Sequence, residues 1–370
     1  MTKYSTAFFA AIAAFGVATA AAAQPTYHVT ELPSAPGALC IGTAINDAGA
    51  VAGSCSSADG VAATAANKGI VIWRNGVPTV LGALAGASDF AANALNATGV
   101  VVGSSDAASN PRPQAVMSTA RGFLNIDPVN GGNARAIGIM DNGVIFGNLT
   151  KSLSGNTASW QVMMWTQDKG HPDRYRETSF PKLIQGDSKF AGIYALGSNK
   201  AGQVVGWVTN QVIGQRGAFW NNDSAHSIVA LDPLPGGWHS IAWGVNDLGV
   251  AVGESNGPTY VTRATLWQND ATHTAIDLGA LPGDNESTAM FGNSAGQVIG
   301  FSATGSFPTF DATRAFLWQN GQMFELSTLI DPADGAWTIT GLFGMNNGGQ
   351  ILAIGTLGGR FASIVLTPAQ

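Results

Sequence analysis

Charge is scarce in this chain. Asp, Glu, Lys and Arg make up 11% of its 370 residues, against about 25% in a typical soluble domain. Its 17 basic residues are scattered under a net charge of −6. That leaves no basic stripe to neutralise a nucleic-acid backbone or to hold an anionic lipid surface. Histidine is sparse too, at His28, His171, His226, His239 and His273. None pairs with another at metal-ligand spacing, so no metal centre and no cofactor is expected. No phosphate loop and no carboxylate pair with a supporting His is legible, and motifs therefore give catalysis no support. After residue 20 no run is long and apolar enough to cross a bilayer, which takes about 20 helical residues.

Cysteine occurs twice, at Cys40 and Cys55. The N-terminus says which compartment they meet. Lys3 precedes an apolar run over residues 7–20, and Ala21-Ala22-Ala23 then offers a small-x-small cleavage site before Gln24. A membrane anchor is the alternative, but the run is short for a span and its Ala-rich end favours cleavage. Residues 1–23 are read as a signal peptide and residues 24–370 as one domain, exported to the periplasm or outside the cell. In that oxidising setting the two cysteines are expected to form a disulfide. They flank Asn46-Asp47-Ala48-Gly49 symmetrically, and positions mirrored about a hairpin corner face each other across the strands.

What the chain has in plenty is glycine, 48 residues of it, and much of that is periodic. Gly244-Val245-Asn246-Asp247-Leu248-Gly249-Val250-Ala251-Val252-Gly253 has six near copies. The corner Asn recurs at Asn46, Asn96, Asn199, Asn246, Asn293 and Asn346, with Met140 in its place once. The Gly three residues on recurs at intervals of 50, 44, 59, 47, 47 and 53 residues, and a second Gly follows four residues later, with Ala353 the exception. Asn bonds its own backbone and Gly supplies positive φ, which makes this a strand–turn–strand corner. The second Gly marks a bend or the close approach of another backbone. Small residues before the corner, such as Ala242 and Gly244, suit a crowded place like the axis of a ring.

Two further strands complete each unit. One ends in Trp, as in Phe316-Leu317-Trp318, and one follows a polar turn, as in Ala275-Ile276-Asp277-Leu278-Gly279. Four short strands in about 50 residues match a propeller blade. Residues 27–33 resemble the last strand of a unit without a Trp strand before it, and residues 361–368 a Trp strand without a follower. Together they supply the missing half-units, so the expected fold is an all-β, seven-bladed propeller closed by strands from both termini. Tandem β-sandwiches are disfavoured, because a four-strand unit cannot make a sandwich alone.

These residues resemble the HAF-repeat family of bacterial extracellular repeat proteins. That family is named for a His-Ala-Phe strand start, followed by an Asp-Leu-Gly strand and an Ile-Asn-Asp-x-Gly-x-Val-Val-Gly hairpin. The likeness runs over the mature chain and is clearest at Ala315-Phe316-Leu317-Trp318, Asp277-Leu278-Gly279 and Val245-Asn246-Asp247-Leu248-Gly249. The name-giving His is absent, with Gly217, Arg263 and Arg314 where it would sit. The resemblance implies an exported repeat protein and brings no activity with it.

Strand alternation puts the Asn-x-x-Gly corners on one face of the disc and the longer, more variable connections on the other. Binding residues concentrate on such loops. Trp238 and His239 are the most ligand-like pair there, weighed against simple packing of Trp238 over the next blade. Asp284 and Glu286 lie in a similar link, and Arg263 and Arg314 begin the neighbouring strands. Residues 168–177, rich in charge, read as an expanded turn on the corner face. The leading functional expectation is a monomeric, non-enzymatic binding scaffold for an extracellular glycan or protein, with no nucleic-acid partner and no membrane span after cleavage. The alternative is a propeller hydrolase or lyase acting on an extracellular glycan or similar substrate.

Overall fold

The computed structural model describes residues 24–58, 64, 67–127, 132–152, 158–181, 192–210, 214–306 and 309–369. The segment read as a signal peptide lies outside them. The chain forms seven four-stranded antiparallel sheets set in a ring, a seven-bladed β-propeller. Among the described residues no helix is long and apolar enough to cross a membrane.

The innermost strand of each blade is the one before the Asn corner. In blade order these are Ala38–Ile45, Phe90–Leu95, Gly132–Ile139, Gly192–Ser198, Ser240–Val245, Glu286–Gly292 and Thr338–Met345, and all seven border the axial cavity. In blade 5 the sheet runs outward through Ala251–Asn256 and Thr262–Trp267 to Ala275–Asp277. Both termini close blade 7, where Tyr27–Glu31 is the outermost strand and pairs antiparallel with the C-terminal strand, Tyr27 opposite Pro368 and Glu31 opposite Ile364.

The corner geometry follows from its residues. The Gly249 N–H donates to the Asn246 carbonyl at 3.0 Å, Gly249 sits at φ +77°, and the Asn246 side-chain oxygen accepts from the Val250 N–H at 2.9 Å. This is a type I turn followed by a left-handed residue. The amide's other end reaches across: Asn246 Nδ2 donates to the Asn293 carbonyl of the next blade at 3.0 Å. Asn46, Asn199, Asn293 and Asn346 make the same link to the blade that follows, and Asn346 joins blade 7 back to blade 1 at 3.0 Å. Met140 has no amide to offer there.

The second Gly is explained by a β-bulge. In blade 5 the register shifts between Ala242 and Gly244, leaving Trp243 extra. The bulge presses the Ile241 carbonyl over Gly253, where a Cβ would lie 2.0 Å from its oxygen. Blade 7 carries two register shifts in its inner strand, and there Ala353 replaces Gly. The same bulge settles the cysteines. The Asn46–Ala50 turn displaces the register by one residue, the Thr43 bulge restores it, and Cys40 lies opposite Cys55 in a disulfide.

Tryptophans at the end of the third strand anchor the incoming links. Trp73, Trp165, Trp220 and Trp267 are fully buried. The indole of Trp73 donates to Pro33 and that of Trp267 to Asp232, each at 2.7 Å, in the link from the preceding blade. One expectation is corrected here. Residues 171–179 form a strand, His171–Ser179, so the charged stretch is the far side of a long hairpin, with Tyr175 buried and Arg176 paired with Asp168 at 2.9 Å.

Candidate functional site

The axial cavity measures about 560 Å³. Its walls are not the small residues expected from the sequence. In every blade a bulge turns one side chain to the axis: Thr43, Asn93, Ile137, Leu196, Trp243, Met290 and Phe343 all line it. Alanines one place earlier, such as Ala92, Ala136, Ala195 and Ala242, are buried within the sheets instead. The axis is therefore largely apolar, with a polar sector at Thr43 and Asn93.

At the corner-face mouth stand Asp47, Asp141, Lys200, Asp247 and Asn347. Lys200 is bonded to Asp47 and lies 3.7 Å from Asp247, while Asn347 Nδ2 donates to both carboxylates, at 3.1 and 2.8 Å. Burial works to raise the Asp47 carboxyl, but the bonds from Lys200 and Asn347 outweigh it and hold it below its ordinary range. Burial likewise works to lower Lys200, and Asp47 raises it on balance. Asp47, Asp141 and Asp247 also accept from the backbone N–H of the preceding blade's corner, at 2.9, 2.8 and 3.1 Å. These polar groups face one another and complete the ring.

On the opposite face, Trp238 is 53% exposed and its ring meets His239 at 5.6 Å and Tyr260 at 6.4 Å. Asn256 Oδ1 accepts from the backbone N–H of both Trp238 and His239, at 3.0 Å each, which fixes the link. Burial lowers the His239 imidazole, and the Arg216 charge adds to the effect. Two candidates from the sequence, Asp284 and Arg314, meet each other at 2.9 Å. Arg314 also binds Glu325, and Asp284 accepts from Ser302 and Thr304. Burial works against the Asp284 charge, yet those bonds keep its carboxyl below the usual range. Arg263 lies 3.8 Å from Asp277 and donates to the Asn285 carbonyl at 3.4 Å. Both arginines thus stitch an interblade link to its blade, and neither lines the axial cavity.

Glu286 is different. It is buried, and both its carboxyl and that of Glu254 are raised above the ordinary range, mainly by burial. Glu254 accepts from Thr288 at 2.6 Å, and the Trp243 indole lies beside it without closing a hydrogen bond of normal geometry. The two carboxyls come from adjacent blades, and the Glu254 charge helps to raise Glu286. The pairing was invisible in the sequence because the residues are 32 apart.

A second cavity, of about 340 Å³, opens at the loop-face ends of blades 3 and 4, lined by Asn133, Arg135, Asn148, Thr150, Trp160, Tyr194, Leu196 and Trp207. Leu196 borders the axial cavity as well. Trp160 meets Tyr194 edge-on at 5.5 Å, and Tyr194 stacks on Trp207 with centroids 6.1 Å apart. Gly192 leaves room for the Trp207 ring, since a Cβ there would lie 2.8 Å from it. Asn148 is buried and clamps both backbone groups of Ala195 at 2.8 Å. A signal for this site did exist: Trp160 and Trp207 fall outside the strand-end positions where the repeat places its tryptophans. Gly292-Asn293-Ser294-Ala295-Gly296 has the spacing of a hydrolase nucleophile elbow. It forms the corner between two antiparallel strands of blade 6, with the Ser294 hydroxyl buried, where an elbow needs a strand-to-helix turn that exposes it.

No family model and no curated protein matches the chain. Among solved structures it is similar to the Pyrococcus horikoshii acylaminoacyl peptidase in its orthorhombic crystal form, at 11% identity and TM-score 0.53, over 90% of this chain and 52% of that one. A hypothetical protein from Leishmania major aligns at 14% identity and TM-score 0.30, over 66% of this chain and 88% of that one, too loosely to carry an argument. The chain spans about half the peptidase's length, and at such identity the likeness shows the fold alone.

Proposed function

We propose that this protein is an exported binding scaffold of the HAF-repeat type, acting as a monomer, with its ligand contacts on the loop face of blades 3 to 5. The observation that carries this reading is the placement of aromatic side chains outside the repeat. Trp160, Tyr194 and Trp207 frame one cavity there, and Trp238 and Tyr260 stand exposed nearby in sequence. Exposed aromatic rings on a rigid frame favour binding over packing. An apolar N-terminal run and the Cys40–Cys55 disulfide support export to the periplasm or beyond. A glycan and secreted-protein binding screen on residues 24–370 tests it, with Trp238→Ala and Trp207→Ala as probes. A ligand that loses about tenfold or more in affinity on either substitution supports the loop face. A ligand indifferent to every loop-face change overturns it.

A second reading, a hydrolase or lyase acting on an extracellular glycan, is favoured by one observation, the Glu254–Glu286 pair. Two carboxyls from adjacent blades, both raised mainly by burial, can divide acid and base roles. Glycan cleavage by the parent protein that Glu286→Gln and Glu254→Gln each abolish, with the fold intact, would establish it. The absence of turnover across acidic and neutral glycans would reject it.

A further inference from the structure

We infer that the cavity between blades 3 and 4 binds an acidic sugar residue, a uronate carried on a glycan chain. The inference rests on reading the loop face as the ligand face and adds a ligand class to it.

Three features select the class. First, Trp160, Tyr194 and Trp207 are half-buried rings whose remaining faces look into the cavity. Tyr194 and Trp207 lie within 17° of parallel at 6.1 Å, already in contact, so no flat ring can enter between them. A ligand must lie against their outer faces or against Trp160, tilted 62° to Tyr194 and 51° to Trp207. A puckered ring that offers C–H groups on one side and hydroxyls on its rim suits such an angled surface. Second, Asn133 and Thr150 stand opposite each other on neighbouring strands at the rim and offer donors and acceptors for ring hydroxyls. Asn148 cannot join them freely, because its amide is held by Ala195.

Third, Arg135 is exposed on the innermost strand and has no carboxylate partner among the described residues. The lining contains no Asp or Glu, so its formal charge is positive. An aromatic box often holds a cation, but Arg135 repels one and would pair a carboxylate bidentately. The volume, about 340 Å³, lies at the small end of ligand sites, which run from about 300 to 1,000 Å³.

The test is calorimetric titration of residues 24–370 with oligogalacturonate, with a neutral galactan oligomer of equal length, and with benzoate. Oligogalacturonate is expected to bind at least about tenfold more tightly than the neutral oligomer, in line with one charge-assisted contact. Arg135→Gln should erase that preference, and Trp207→Ala should weaken binding of both oligomers, with melting curves confirming the fold. Equal binding of acidic and neutral oligomers, both lost in Trp207→Ala, would overturn the acidic class while keeping the loop-face reading. Benzoate binding more tightly than oligogalacturonate would overturn the sugar assignment. If neither oligomer binds while another glycan is lost on Trp238→Ala, the cavity assignment falls and the loop face survives. If no ligand responds to any loop-face change, both readings fall together.

Discussion

The two faces of this disc are built from the same strands and behave as opposites. On the corner face the Asn side chains, the three aspartates and Lys200 bond to a neighbouring blade or to one another across the axis. The corner Asn side chains and the aspartates beside them find internal partners, and the Asn position recurs in six of the seven blades. On the loop face the repeat stops, and the residues that appear once, Trp160, Trp207, Trp238 and Arg135, leave ring faces and a guanidinium open. Polarity at a rim is therefore a poor guide to function in this protein. The corner-face mouth carries Asp47, Asp141, Lys200 and Asp247, yet these charges hold the ring together.

A graded series of variants would break or sharpen that contrast. The largest effect is expected from closure. Deleting residues 361–369 removes the strand that joins Tyr27–Glu31 to blade 7, and the cooperative thermal transition should vanish. Survival of that transition would mean that the ring tolerates opening. Next comes Gly253→Ala, which places a Cβ 2.0 Å from the Ile241 carbonyl. It should cost about 3 kcal/mol in denaturant unfolding as the bulge is forced to shift.

The interblade amides are weaker individually. Asn246→Ala loses the turn cap and the bond to Asn293 and should destabilise by about 2 kcal/mol. Met140→Asn restores the missing amide in blade 3 and should stabilise by about 0.5 to 1 kcal/mol. On the loop face, Trp238→Ala should move stability by less than about 0.5 kcal/mol while altering binding, the reverse of the corner variants. A variant that shifted both equally would erase the distinction between the faces.

The smallest effect is a pH dependence. The Glu286 carboxyl is raised in the folded state by burial and by Glu254, so the fold binds its proton more tightly than the unfolded chain does. That contribution is present at acid pH, below the ordinary Glu range, and is lost as pH rises through the raised value. Glu286→Gln should therefore melt higher than the parent at pH 8, with the gap closing as pH falls. A gap that widened toward acid pH would contradict the assignment.

Much of the frame could be read from residues alone. Seven corner glycines, six of them with Asn three residues before, a Trp strand in most units and half-units at both ends specified blade number and closure, because each signal is local and recurs. Cys40 and Cys55 were legible for the same reason, although two offsets, the turn and the Thr43 bulge, had to cancel for the mirror argument to hold. The candidate site was legible only in part. Trp238 and His239 do stand together on the loop face, because they are adjacent in the chain. Arg314 with Asp284 became a stitch, since a buried carboxylate takes the nearest guanidinium.

By itself, then, the sequence determined the ring, its hinges and the faces on which corners and links fall. Turn chemistry and alternation act over a few residues and need no knowledge of neighbours. Only the tertiary structure decided which side chains line the axis, because a bulge adds one residue and reverses every inside–outside assignment beyond it. It also decided which solitary residues meet. Trp160 with Trp207, and Glu254 with Glu286, are brought together by the packing of successive blades around an axis, a closeness no local pattern encodes.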